Sequence, residues 1–176
     1  DQRKGDERAI ELSNVSKSGP FGIPFRHMVT AVQIARGDEE QLFVALERSG
    51  YDVVSRREEI LARARNVQVW LEKYAPPYVK FQLQEKLPAE VNNLSAAERQ
   101  GLGLLAQRID EKTAAEIHDL VYAVAKEMNL DSKKFFQAVY LAFLGDRQGP
   151  KAGWFLASLD RDFVRSRLEE AAGSPD

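Results

Sequence analysis

From Phe25 onward, apolar residues recur every three or four positions, which is the spacing of helices that bury one side. Phe25, Met28, Val29, Val32, Ile34 and Ala35 form the first stripe, closed by Gly37. Asp38 stands where it can cap a second helix carrying Leu42, Phe43, Ala45 and Leu46, which Gly50 ends. A third helix carries Ile60, Leu61, Ala64, Val67, Trp70 and Leu71. It must stop before Pro76 and Pro77, because proline has no N–H to donate and clashes with the preceding turn. Ser55 with Glu58, Ser95 with Glu98 and Thr113 with Glu116 have the spacing of capping boxes, in which each side chain satisfies a free backbone donor beside the other. The last two open helices of their own. Asp131 or Ser132 then caps an apolar helix whose Phe135, Phe136, Val139, Tyr140 and Phe143 must face a core, and which ends at Leu144 and Gly145. After a basic turn with Gly149 and Pro150, Gly153, Trp154 and Phe155 open another helix. Asp160 stops that helix and starts the last.

Two stretches lack this period. Residues 1–24 are polar and broken by Gly5, Gly19, Pro20, Gly22 and Pro24, and they read as a linker or approach segment. In residues 78–86, Val79, Phe81 and Leu83 alternate as in a strand, yet no second strand is evident to pair with them, so an irregular path or a short helix is expected. The pattern thus predicts an all-α bundle or cage of about eight helices, in two helical halves over residues 25–94 and 95–176. No repeat of fixed period points to a solenoid.

Composition narrows the picture. Apolar residues make 44% and charged residues 30%, with no run long enough to cross a bilayer and no signal-peptide pattern, so the chain reads as cytoplasmic with no membrane partner. It has no cysteine and two histidines, His27 and His118, which makes a metal site improbable on inventory alone. Starting at Asp1 in a charged run without methionine, it reads as a piece of a longer polypeptide. The net charge of −2 argues against a general nucleic-acid coat, but the charge is uneven. Residues 55–80 hold six Lys or Arg against three acids, a local +3. A solvated helix face is the plain explanation for such a cluster.

Catalytic chemistry is hard to find. His118 and Asp119 are adjacent on a helix and point about 100° apart, so they cannot form the hydrogen bond of a triad; a solvent-facing or helix-bonded histidine is the expectation. Glu39-Glu40 and Glu58-Glu59 complement helix dipoles in first turns, and Glu169-Glu170 needs no other role than a helix-end surface. Gly101 and Gly103 lie within a helical pattern without a lysine or a preceding strand, so they are not a phosphate loop. A complete small enzyme is therefore disfavoured.

The C-terminal stretch is more specific. Ala142-Phe143-Leu144-Gly145, then Gly149-Pro150, then Leu159-Asp160, Phe163, Arg167 and Leu168 resemble the end of class I glutamyl- and lysyl-tRNA synthetases. Gly149-Pro150-Lys151-Ala152-Gly153-Trp154-Phe155-Leu156, Ile117-His118-Asp119-Leu120-Val121-Tyr122 and Ile23-Pro24-Phe25-Arg26-His27-Met28-Val29-Thr30 resemble the lysyl group rather than the glutamyl one. The likeness spans residues 23–168 and is loosest over residues 74–93. Val15-Ser16-Lys17-Ser18-Gly19 is also faintly similar to the ATP-phosphate loop of class I synthetases, but Asn14 replaces its first lysine and its histidine-bearing partner motif is missing, so a Ser-rich linker is the better reading.

The resemblance implies a helical cage that binds the anticodon loop of the lysine tRNA. It implies a non-catalytic part of a lysine-tRNA ligase whose remaining chain would use ATP and magnesium; this part would need no cofactor. Loop bases are read when splayed out and stacked on aromatic or guanidinium planes, while basic side chains hold phosphates. Trp154 and Phe155 are the stacking candidates, with core packing as the competing role for each. Arg147, Lys151 and Arg161 are candidates for phosphate or base edges. Arg26, His27, Arg56 and Arg57 are candidates for an extended basic track, with His27 alternatively capping or packing. For Arg167 the reading is a structural ion pair with Asp160 or Asp162. The alternatives for the whole chain are a non-catalytic helical protein-interaction module and the equivalent domain of a glutamyl-tRNA synthetase.

Overall fold

The computed structural model describes residues 22–173. The expected linker, residues 1–24, therefore lies almost wholly outside the described residues, as does the Val15 to Gly19 motif. Eight α-helices and no strand occur among the described residues, as the periodicity predicts. They fall into two compact units that divide between Lys80 and Phe81.

In the first unit, α1 (Phe25–Ala35) packs on α2 (Glu39–Arg48) and on α3 (Arg57–Lys73), and a 3₁₀ turn follows at Pro77–Val79. The apolar stripes meet as one core around Met28, Leu46, Ile60 and Val67, with Trp70 and Tyr51 packed against it. Arg36 and Gly37 turn the chain between α1 and α2 through the left-handed region, at φ 50° and 87°. Asp38 then caps α2 by accepting the Gln41 N–H at 3.0 Å. The capping box expected at Ser55 does not form. The Ser55 hydroxyl donates to Asp52 Oδ2 at 2.9 Å, in a turn where Asp52 also accepts the Val54 N–H, and Arg56 stands at the N-cap without a side-chain bond. A nearer acceptor before the helix has captured the serine.

In the second unit, α4 (Ala96–Arg108) packs on α8 (Arg161–Ala172) and α5 (Ala114–Glu127). In turn α5 packs on α6 (Ser132–Leu144) and α7 (Ala152–Ser158), and α6 touches α8. Both remaining capping boxes are present: Ser95 and Thr113 each accept from the backbone of their glutamate three residues on, and each glutamate takes the serine or threonine N–H at 2.8 Å. Phe135, Phe143, Phe155, Leu102, Leu105 and Ile117 are buried to within 2% of full cover.

Residues 81–94, expected to close the first half, belong to the second unit instead. They form an irregular strap with a 3₁₀ turn at Ala89–Asn93, in keeping with the expectation of an irregular path or short helix. Arg167 fixes it. This arginine on α8 is 3% exposed, and its guanidinium donates to Gln84 O at 3.1 Å, Glu85 O at 2.8 Å and, at the end of α6, Ala142 O at 3.0 Å. Its carboxylate neighbour is Glu170 at 3.6 Å, rather than Asp160 or Asp162. Asp160 caps α8 through the Phe163 N–H, and Asp162 pairs with Arg165. The Gln84 N–H also donates to Phe143 O at 2.8 Å, and Phe81 meets Phe155 edge to face.

Candidate nucleic-acid interface

The turn from α6 to α7 is where the second unit puts charge beside aromatic surface. Gly145 ends α6 in the left-handed region at φ 68°, a conformation costly for residues with a Cβ. The Tyr140 hydroxyl donates to Pro150 O at 2.7 Å, tying the far side of the turn back to α6. Burial pushes that phenol up to about 12, so it remains a donor. Gly153 then lets α7 come against α5: a Cβ there would lie 2.1 Å from Ala114 O and 2.7 Å from the His118 Cβ. Trp154 is thereby delivered next to His118.

An aromatic cluster results. His118 lies 5.3 Å from Phe136, 5.4 Å from Tyr122 and 6.5 Å from Trp154 by ring centroids, and Tyr122 and Phe136 meet at 4.9 Å. The Lys151 ammonium sits 4.4 Å over the Trp154 ring, a cation on the electron-rich face. Tyr122 is 47% exposed and Trp154 half-buried. Burial lowers the His118 pKa first, and the Lys151 charge lowers it further against a small opposing pull from Asp119, so the ring is neutral at pH 7. Its Nδ1 is sheltered and has no hydrogen-bond partner.

The sequence candidates divide sharply. Lys151 and Arg147 are exposed, and Trp154 shares the aromatic cluster. Phe155 is fully buried between Phe81 and Phe143 and has no face to offer a base. Arg161 is half-buried and donates to the carbonyls of Ile109 and Lys112, so it braces the α4–α5 loop. His118 is only partly exposed and is not bonded to its helix, because Trp154 of α7 and Phe136 of α6 pack against its ring. In the first unit, Arg26 and Arg56 are exposed. Arg57 lies 2.6 Å from Glu40 and covers the Phe43 ring at 3.8 Å, and His27 bonds the Tyr51 hydroxyl. Neither Tyr122 nor Phe136 stands among the sequence candidates for the site, Phe136 being read as core-facing and Tyr122 only as part of a motif. A signal existed for Tyr122, since it stands one turn beyond His118 on the same side of α5, but Phe136 joins them only through tertiary packing.

Comparison with known proteins fits this picture. The family described as the anticodon binding domain matches residues 71–172. The chain belongs to the anticodon-binding domain family. This domain contains every member of the aromatic cluster within the matched residues. Over nearly its whole length, the chain is similar to lysine-tRNA ligases. It is 41% identical to that of Archaeoglobus fulgidus over 171 residues, covering 96% of this chain and 34% of the relative. It is 37% identical to that of Methanosarcina barkeri, covering 97% and 35%, and 38% identical to lysine-tRNA ligase 1 of Methanosarcina acetivorans, covering 95% and 35%. The chain thus spans about a third of the length of the curated relatives it matches. Among the described residues no three or more His, Asp or Glu gather as metal ligands, and no helix is long and apolar enough to cross a membrane.

Proposed function

We propose that this anticodon-binding domain holds the anticodon loop of the lysine tRNA as a non-catalytic part of a class I lysine-tRNA ligase. The ATP, magnesium and lysine chemistry falls to the rest of that longer enzyme, which works in the cytoplasm. The observation that carries the reading is the aromatic cluster beside the α6–α7 turn, flanked by Lys151 and Arg147, inside the matched segment. Splayed bases need flat apolar faces, and the backbone between them needs cations; this surface supplies both. The chain's mild acidity, −2 overall, leaves little non-specific attraction, so the fit of the loop must carry the affinity. Taken by itself, the first unit exposes Arg26 and Arg56 as phosphate-binding candidates of its own.

A binding titration of the chain with lysine-accepting tRNA and with an anticodon mutant, at several salt concentrations, tests the reading. Tighter binding of the cognate tRNA at every salt concentration is the expected result, with log K falling by about 0.7 per contacted loop phosphate for each decade of salt. Equal affinity for both RNAs, or none for either, overturns it. Trp154→Ala should weaken binding by about 1–3 kcal/mol, the range for loss of one stacked base, while the thermal transition persists. Lys151→Ala should weaken it less and reduce the salt dependence. Collapse of the thermal transition in Trp154→Ala would assign the tryptophan to the core.

A further inference from the structure

The seam between α5 and α6 carries exposed chemistry beyond the α6–α7 turn. Among the described residues, Tyr122 is the one large apolar side chain of the second unit that stands exposed. Edge-to-face contacts with His118 and Phe136, at 86° and 68°, fix the plane of its ring and leave nearly half of it in solvent. Lys126 stands four residues after Tyr122 on α5 and Lys133 three residues before Phe136 on α6, so each lies one turn along the same side of its helix. Only residues 128–131 join these packed helices, which therefore run antiparallel and bring both lysines to one end of the seam. Both lysines are exposed. The acids nearby are occupied: Glu127 is held by Arg108 at 2.6 and 3.0 Å, and Asp131 caps α6 through the Lys134 N–H. Asp119 lies toward the other end, where it and Lys151 act on His118 in opposite senses.

We propose that the α5–α6 seam extends the RNA surface of the α6–α7 turn: an unpaired base of the bound loop stacks on Tyr122, and Lys126 and Lys133 hold the phosphates beside it. This rests on the anticodon-loop reading above and deepens it. A protein partner needs a contiguous apolar patch, whereas one bare ring beside two cations matches a base and its flanking phosphates. Lys151 already covers one face of Trp154, so a base reaches Trp154 only in competition with that lysine, while the exposed part of Tyr122 is open to it directly. The ring nitrogen closest to this platform, His118 Nδ1, is shut off from solvent and cannot read a base edge. Stacking on Tyr122 is therefore tolerant of sequence, because every base has a flat face, and the seam adds affinity without adding discrimination.

The test uses the chain with the anticodon stem-loop of a lysine tRNA, native and with each anticodon base substituted in turn, and reads Kd for each at several salt concentrations. Tyr122→Leu should raise Kd about tenfold for every loop, the scale of one stacked base, and leave the ratios between loops unchanged. Tyr122→Phe keeps the ring and should bind as the unmodified chain does. Lys126→Gln and Lys133→Gln should each flatten the dependence of log Kd on log salt by about 0.7, one single-strand phosphate contact. Lys134→Gln removes the same charge from α6 two residues before Phe136, on the far side of the helix, and should leave that slope as it is. An unmoved Kd in Tyr122→Leu, a loss confined to one substituted position, or an equal flattening by Lys134→Gln overturns the proposal; the anticodon reading survives each of these if the unmodified chain still separates the native loop from the substituted ones. An unmodified chain that binds all the loops alike, or none, overturns the anticodon reading itself, and this proposal with it.

Discussion

Arg167 and Tyr140 hold the interface from behind without touching its surface. The guanidinium of Arg167 is almost completely covered and serves two carbonyls of the strap and one at the end of α6. Planar, always charged and carrying five donors, it serves three carbonyl acceptors at once, which the single ammonium of a lysine cannot match from one position. Arg167→Met should cost about 3 kcal/mol in urea denaturation, because it strands buried carbonyls, and Arg167→Lys should fall between the two. Tyr140 adds a pH dependence of definite sign. Its phenol is raised by burial to about 12 in the fold against an ordinary value near 10. The unfolded chain therefore gives up this proton first. The stabilisation is full below pH 10 and is lost as pH rises from there toward 12. Denaturation curves at pH 9 and pH 11 should show that loss, and Tyr140→Phe should reduce it.

Among the elements, α7 is the one whose placement decides the site. It has seven residues, too few to be stable alone, and it exists because it packs on α5. Gly153 makes that approach possible, and the atom facing it is a backbone oxygen of α5 that cannot rotate away. Gly153→Ala should therefore lower stability by about 1–3 kcal/mol, the range for overpacking, and should weaken RNA binding by shifting Trp154 from His118. The caps give a contrast of their own. Thr113→Ala removes a formed capping box and should cost about 1 kcal/mol in thermal unfolding, while Ser55→Ala, whose hydroxyl bonds Asp52 outside the helix, should cost about half that or less.

For the whole molecule, the division at Lys80 and Phe81 has a consequence. Because the strap brings Arg167, Phe155 and Phe143 their partners, a chain of residues 81–176 carries its own complete core and should unfold in one cooperative transition by calorimetry. A chain of residues 95–176, cut at the boundary the sequence suggests, leaves the Arg167 donors without Gln84 O and Glu85 O and exposes Phe155 where Phe81 covered it. It should show a transition lower by ten degrees or more, as expected when about 3 kcal/mol is lost from a domain of this size.

The sequence by itself determined the helices, their order and most of their caps, since apolar period, proline and capping chemistry are set by residues a few positions apart. It also marked the α6–α7 turn, because Leu144-Gly145 and Gly149-Pro150 are breaks that only a specific turn explains. The tertiary structure alone decided which side chains of that region face a ligand. Trp154 and Phe155 are neighbours of similar chemistry, yet one joins a surface cluster and the other fills the core. Arg161 reads as a cation for RNA and Arg167 as one half of an ion pair, yet both bind backbone oxygens 25 to 83 residues away in sequence. His118 gains its neutral, unpartnered state from α6 and α7 packing against it. Such roles depend on which helix covers which, and no local spacing of residues carries that information.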